Sequence, residues 1–128
     1  MKIYEYHING RIPSKKNSRI TNKKTGRSFP SAKYYAWEKM AMEQIKCLSE
    51  LPDKPIEKCK MIHVNIYYPD FRVADNSNKF ESVMDMLVKV GILKDDCWTI
   101  TGKTSQSPIY RKNNGGANIL VYVDDDVS

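Results

Sequence analysis

The fold is decided by residues 60–90, KMIHVNIYYPDFRVADNSNKFESVMDMLVKV. Over residues 60–68 apolar and polar side chains alternate, and this period of two predicts a half-buried β-strand. A proline-aspartate pair ends the alternation. The apolar residues then recur at helical spacing, which predicts an amphipathic helix over residues 77–90 that stops at Gly91. A strand followed by a one-sided helix indicates a helix packed on a sheet.

The same two periodicities predict the other elements. These are strands over residues 2–9, 98–105 and 118–123 and a helix over residues 32–48 with Ser31 as its N-cap. Asn113-Asn114-Gly115-Gly116 has the composition of a hairpin turn between the last two strands. The resulting order predicts an α+β fold, a small four-stranded sheet with two helices packed on it. At 128 residues the chain is predicted to be a single domain, residues 1–128.

The composition of the chain indicates which kind of partner it binds and in which cellular compartment it is found. The net charge of +6 favours an anionic partner, of which nucleic acid is the commonest. No apolar run approaches the roughly 20 residues of a membrane helix, and the N-terminus does not resemble a signal peptide. We therefore expect no membrane association and a cytoplasmic protein, in the host cytoplasm if a phage encodes it. The three cysteines form no C-x-x-C pair, so we expect reduced, mostly buried thiols. The two histidines are expected to be structural.

The positive charge is concentrated in residues 11–33, which contain eight basic and no acidic residues. Prolines, serines and asparagines are interleaved, which predicts a long loop with a short hairpin over residues 22–26. Such a loop is suited to contacting DNA phosphates. The predicted DNA-binding residues are Arg11, Lys15, Lys16, Asn17, Arg19, Lys23, Lys24 and Arg27. The alternative is a flexible basic loop without a specific role.

The polar residues of the second helix form one edge. On a helical wheel Asn78, Glu81, Ser82 and Asp85 lie opposite the apolar face, and Asp75 lies at the helix entrance. If the following segment runs back beside the helix, Asp95 and Asp96 reach the same edge. The alternative to a functional edge is that Asp75 is an N-cap, that Glu81 and Asp85 belong to a solvated helix face, and that Asp95 and Asp96 form an ordinary turn.

Carboxylates that cluster repel each other unless a cation lies between them. Magnesium prefers oxygen ligands and keeps several waters, so one to three carboxylates suffice. A metal held in this way can polarise a phosphoryl oxygen and generate a hydroxide-like nucleophile for phosphodiester hydrolysis. Lys79 could stabilise charge on the scissile phosphate.

Three blocks of the sequence resemble the RusA family of Holliday-junction resolvases, in its phage and prophage branch. The blocks are GRIPSKKNSR (residues 10–19), DNSNKFES (residues 75–82), and DML with GILKDD (residues 85–87 and 91–96). The resemblance implies a RusA-like fold and a magnesium-dependent endonuclease, with Mn²⁺ able to replace Mg²⁺ and no small-molecule cofactor. It also implies a homodimer that cuts four-way junctions and other branched DNA in recombination and repair.

The resemblance also implies a set of site residues. The essential carboxylates of the family map onto Asp75 and the Asp95–Asp96 pair, with Asp96 the closer match. Family members carry D-x-D-N followed by a lysine, whereas this chain has Ser77 and Glu81 at the second aspartate and at the lysine. We hypothesise that Glu81 replaces the second carboxylate, that Asn78 orients it, and that Lys79 partly covers the lysine's role. The predicted catalytic set is Asp75, Asp96, Glu81 and Lys79, and the predicted metal ligands are Asp75, Glu81, Asp95, Asp96 and Asn78.

Three other functions remain open at this point. A non-catalytic phage DNA-binding protein would keep the basic loop but bind no metal at the acidic edge. A structural protein of a phage or mobile element would show no salt-sensitive affinity for branched DNA. A PD-(D/E)xK nuclease fits less well, because no E-x-K strand follows Pro69-Asp70 at usable spacing.

Overall fold

A computed structural model describes residues 1–14, 19–72 and 76–124 of the chain as an α+β domain. The strands are β1 (Lys2–Asn9), β2 (Arg19–Thr21), β3 (Ser28–Pro30), β4 (Met61–Tyr68), β5 (Lys103–Tyr110) and β6 (Gly116–Val123). The helices are α1 (Ala32–Leu48), α2 (Asn76–Lys89) and the single turn α3 (Trp98–Thr101). In this described part, no helix has both the length and the apolar character needed to span a bilayer.

The main sheet has four strands in the order β1-β6-β4-β5. Strand β6 pairs antiparallel with both β1 and β4, whereas β4 and β5 are parallel. Parallel neighbours need a crossover connection, and α2 with α3 supplies it here. The predicted four-stranded α+β sheet is therefore confirmed.

The core lies between one face of this sheet and the two long helices. On β4 the inward side chains Ile62, Val64 and Ile66 are buried, and the alternating side chains form polar contacts on the other face, such as His63 Nδ1 to Ser105 Oγ at 2.6 Å. Helix α1 packs on β1, helix α2 packs on β4 and β5, and the helices contact each other. Both helices thus cover the same face of the sheet.

The predicted third strand over residues 98–105 is wrong in its first half. Residues Trp98–Thr101 form the turn α3, and β5 begins only at Lys103. Gly102 separates the two elements with φ at 65°, and its amide donates to the carbonyl of Trp98 at 3.0 Å. Alternating side chains in this stretch imitate a strand, but the glycine closes a helical turn instead.

The predicted hairpin between the last two strands is also wrong. β4 lies between β5 and β6, so these two strands are not neighbours. Their connection crosses the end of β4, where the Asn113 amide donates to the carbonyl of Pro69 at 3.1 Å and the Gly10 amide donates to that of Gly115 at 2.9 Å. Turn-forming residues specify that the chain reverses, but not which strand it pairs with next.

The thiols are less buried than predicted. Cys47 and Cys97 are exposed, and only Cys59 is buried, where burial raises its pKa to about 11. Cys47 lies near the end of α1 and Cys97 lies directly before α3, so neither belongs to the apolar face of a long element.

Candidate active site

Helix α2 uses two polar side chains to hold the start of the basic loop. The Nζ of Lys79 donates to the carbonyl of Ile12, and the Oγ of Ser82 donates to the carbonyl of Pro13 at 2.8 Å. Both side chains are buried, with exposures of 5 % and 0 %. The prediction that Ser82 belongs to the solvated edge is therefore wrong. The buried face of α2 therefore includes polar as well as apolar residues, because the carbonyls of Ile12 and Pro13 require hydrogen-bond donors.

Burial controls the charge of Lys79. It lowers the pKa of the Lys79 ammonium to about 8, and the Arg11 guanidinium lowers it further. The Nζ also lies 5.6 Å from the centre of the Tyr68 ring. These contacts of the ammonium are with the protein's own backbone and core, so its predicted action on a phosphate stays a prediction.

Replacing Lys79 with methionine is expected to change how stability depends on pH. The pKa is about 8 in the folded chain and 10.5 ordinarily, so between these values the unfolded chain binds more protons. Lys79 therefore increases the stability of the wild type as the pH rises from about 8 to 10.5. The difference in unfolding free energy, wild type minus Lys79→Met, should increase from pH 8 to pH 10.5 in urea titrations. Lys39→Met, at an exposed position of α1, is the control. A difference that stays constant with pH would contradict the argument.

Three aspartates meet at a surface that we call the acidic groove, defined by Asp85 of α2 and by Asp95 and Asp96 of the turn after α2. Asp85 and Asp96 line two adjoining depressions, one between α1 and α2 and one between α2 and β5. Asp95 lines the first of these. The pKa of the Asp96 carboxyl is raised, first by partial burial and then by its hydrogen bond to Asp95 and the charges of Asp95 and Asp85. The groove therefore disfavours its own negative charge and would gain from a cation.

The predicted site residues are brought together only in part. Glu81 lines the second depression with Asp85 and Asp96. Asn78 lies three residues before Glu81 and lines neither depression. Asp75 lies outside the described residues.

Asp85 is a functional candidate that was not assigned to the metal set from the sequence. A signal for it was present, because Glu81 and Asp85 are four residues apart and share one helix face.

The acidic groove fits a hard cation by the chemistry of its donors. Its three defining groups are carboxylates, and Asp95 and Asp96 are exposed, so water can complete a coordination shell. Within residues 1–14, 19–72 and 76–124, no group of three or more His, Cys, Asp or Glu side chains is placed to hold a metal ion. Mg²⁺ is commonly bound through one or two carboxylates and several waters, so Asp85 and Asp96, which line the same depressions, are sufficient in number.

A buried carboxylate from α1 completes the wall of the groove. Glu38 is 4 % exposed, and its Oε1 accepts a hydrogen bond from the Nζ of Lys89 at 2.6 Å. Both residues line the same depression as Asp85, Asp95 and Asp96. Glu38 was also missed from the sequence, where it is one of several charged residues on α1.

Comparison with family models decides the classification. The model described as Endodeoxyribonuclease RusA matches residues 9–122, which is most of the chain. The chain belongs to the RusA endodeoxyribonuclease family. No curated protein matches it at a significant level. The family match spans the acidic groove, helix α2 and the basic loop. The resemblance read from the sequence is thus confirmed at the level of the family, and membership supports a nuclease that acts on DNA.

The RusA match also includes the basic loop, part of which forms an arm. We call β2, β3 and their connection the basic hairpin; its strands pair with Arg19 opposite Pro30 and Thr21 opposite Ser28. Lys23, Lys24 and Arg27 are exposed in the connection. The short hairpin predicted over residues 22–26 is confirmed, since the amide of Gly26 donates to the carbonyl of Asn22 at 2.8 Å.

The remaining predicted DNA contacts differ in their surroundings. Arg11 forms an intramolecular ion pair, in which its Nη1 donates to both carboxylate oxygens of Asp70 at 3.0 and 2.9 Å. Arg19 is the first residue of β2. Lys15, Lys16 and Asn17 lie outside the described residues.

Proposed function

We propose that the chain is a Mg²⁺-dependent endonuclease that cuts four-way junctions and other branched DNA in recombination and repair. One observation carries the proposal: in a RusA-family chain, Asp85 and the Asp95–Asp96 pair face one open groove that raises the pKa of Asp96. Asp85, Asp95 and Asp96 repel one another at this groove, and a bound cation would offset that repulsion. The groove therefore supports catalysis over a purely binding role.

Asp85 and Asp96 would hold the cation, with Asp95 beside them and with Asp75 and Glu81 as further proposed ligands. When bound, Mg²⁺ supplies charge at a phosphoryl oxygen and an activated water, with Mn²⁺ as its substitute. Lys79 and Ser82 fix the carbonyls of Ile12 and Pro13, so they would position the basic loop relative to α2. Lys79 would therefore affect DNA binding indirectly, by positioning the basic loop.

The partner in this proposal is a four-way junction, and the active form is a homodimer in the cytoplasm. A junction presents two equivalent strands, and a two-fold dimer presents two equivalent sites, so each groove can meet one strand. The basic hairpin, together with Lys15, Lys16, Asn17 and Arg19, would contact phosphates and supply affinity without reading base sequence.

A cleavage assay tests the proposal directly. Purified protein should nick a synthetic four-way junction symmetrically in Mg²⁺, should cut a linear duplex of the same sequence much more slowly, and should cut neither in EDTA. Asp75→Asn should bind the junction but not cut it. Binding without cleavage by the wild type in Mg²⁺ and in Mn²⁺ would instead identify a DNA-binding protein. Robust cleavage by Asp75→Asn would remove that residue from the catalytic set.

Removing the three exposed cations of the basic hairpin is expected to flatten the salt dependence of junction binding. Each phosphate contact contributes about 0.9 to the slope of log affinity against log salt, so Lys23→Ala, Lys24→Ala and Arg27→Ala together should reduce it by about 2.7 at most. Fluorescence anisotropy at several salt concentrations measures the slope. Lys39→Ala, Lys46→Ala and Lys54→Ala remove equal charge from exposed positions outside the hairpin and should change the slope less. Equal slopes for the two triple variants would rule out the hairpin as the contact.

A further inference from the structure

Two aromatic rings lie stacked on the surface near the ends of β4 and β5. Phe71 is 82 % exposed, and Tyr110 is 47 % exposed. Their centroids are 4.3 Å apart and their planes differ by 22°. Phenylalanine is among the residues most often buried, so a ring this exposed and already aligned with a second ring is unusual. We call this pair the aromatic platform.

Hydrogen bonds of the flanking residues support the platform. Asp70 Oδ1 accepts from the amide of Arg72 at 3.0 Å, so the carboxylate closes a turn around Phe71. Tyr110 is the last residue of β5, and the next amide, that of Arg111, donates to the carbonyl of Tyr68 at 2.9 Å. Hydrogen bonds therefore fix the backbone beside both rings, which reduces the entropy lost on binding a ligand.

The charge around the platform is positive. Asp70 is shared between Arg11 and Arg72, with Nη1 and Nε at 2.9 and 3.0 Å from its Oδ2. One carboxylate is thus shared by two arginines, and the side chain of Arg72 is 74 % exposed. A ligand with a flat aromatic part and a nearby negative charge matches this surface.

The platform adjoins the helix that carries the acidic groove. Phe71, Arg72 and Tyr110 line a depression together with Asn76, the first residue of α2. The Oη of Tyr68 bonds to the Oδ1 of Asn76 and fixes the helix start to the end of β4. Glu81 and Asp85 lie further along the same helix. DNA in contact with α2 can therefore reach both surfaces at once.

We propose that the aromatic platform stacks an unpaired DNA base, with Arg72 on the adjoining phosphate. The proposal deepens the proposed function and rests on it, since the base is one released at the branch point of the bound junction. Every base has a flat π-face, so stacking recognises an unstacked nucleotide without reading its identity. The platform would thus let the protein distinguish a branch from a continuous duplex.

Four single-residue variants and a fluorescent base test the proposal in Ca²⁺, where binding is measured apart from cleavage. The probe is a four-way junction with 2-aminopurine at the branch point, whose emission is quenched when the base stacks. Phe71→Ala and Phe71→Leu should bind it about tenfold more weakly than the wild type, without the quenching, whereas Phe71→Trp should retain both. Ile3→Ala removes an exposed apolar side chain from β1 and should behave as the wild type. Binding to a linear duplex should be the same for all five proteins.

The outcomes separate this proposal from the one on which it rests. Wild-type binding to the junction, with equal affinity and equal quenching for Phe71→Ala, overturns the platform and leaves the proposed function intact. Wild-type behaviour of Phe71→Leu overturns stacking, because apolar bulk would then suffice. If Phe71→Ala loses affinity only because the dimer dissociates, as light scattering would reveal, the platform is a protein interface and the proposal fails. Absence of junction binding by the wild type overturns both proposals. Equal melting temperatures verify that the variants are folded.

Discussion

Replacing Asp96 with asparagine is expected to reduce junction cleavage at least about 100-fold while leaving junction affinity within a few-fold of the wild type. A catalytic metal contributes several kcal/mol to a phosphoryl-transfer transition state, and each 1.36 kcal/mol corresponds to a factor of about ten in rate. Asparagine keeps the size of the side chain but removes the charge that would hold the cation. Single-turnover kinetics on a labelled junction in Mg²⁺ measure the rate, and anisotropy in Ca²⁺ measures the affinity.

The same substitution should not destabilise the fold. Asp96 lies at the surface, and its pKa is raised first by partial desolvation and then by the neighbouring carboxylates Asp95 and Asp85, which repel its charge. Removing one of the like charges relieves that repulsion, so the melting temperature should stay equal or rise. Asp53→Asn, at an exposed position outside the acidic groove, is the matched control and should cut at the wild-type rate. Cleavage by Asp96→Asn at a rate near that of the control would contradict the assignment.

Replacing Gly102 with alanine is expected to lower the free energy of unfolding by about 3 kcal/mol and the melting temperature by about 10 °C. Gly102 has φ at 65° and ψ at −146°, a region that is essentially restricted to glycine. A Cβ there would lie 2.6 Å from the carbonyl oxygens of both Cys59 and Lys60. Those atoms belong to the backbone that leads into β4, so the clash cannot be relieved by rotating a side chain.

Gly26→Ala separates the two causes of this loss. Gly26 also has a positive φ, at 71°, but a Cβ added there would meet no atom within 4 Å. Its replacement should cost only the conformational strain, about 1 kcal/mol. Thermal unfolding of the two variants measures the difference. Equal losses would show that α3 and β5 can move away from β4, and the fixed geometry around Asp96 would then be doubtful, since Gly102 lines the same depression.

The parts of the fold that depend on local signals could be predicted from the sequence. The bounds of α1 match because Ser31 caps the helix, with its Oγ accepting from the Tyr34 amide at 3.3 Å. Strand β4 matches to within one residue because its inward side chains alternate strictly. Each of these signals is contained within a few neighbouring residues, so no knowledge of the tertiary structure is needed.

The parts of the fold and of the site that depend on long-range contacts could not be predicted from the sequence. The position of β6 between β1 and β4 is not indicated by the sequence of the turn that precedes β6. The burial of Lys79 and Ser82 depends on two carbonyls far earlier in the chain, those of Ile12 and Pro13. In the acidic groove, Asp95, Asp96 and the edge position of Asp85 were anticipated from the sequence, whereas Glu38 required the packing of α2 against α1.

The most direct test of the central claim is to locate the bound metal by nuclear magnetic resonance. Substoichiometric Mn²⁺ broadens the amide signals closest to its binding site, and a chain of 128 residues gives a resolvable amide spectrum. We predict that the signals of Asp85, Asp95 and Asp96 broaden first in the wild type and that this selective broadening disappears in Asp96→Asn. Broadening centred on another part of the chain, or the same pattern in the wild type and the variant, would contradict the claim that the acidic groove binds the catalytic metal.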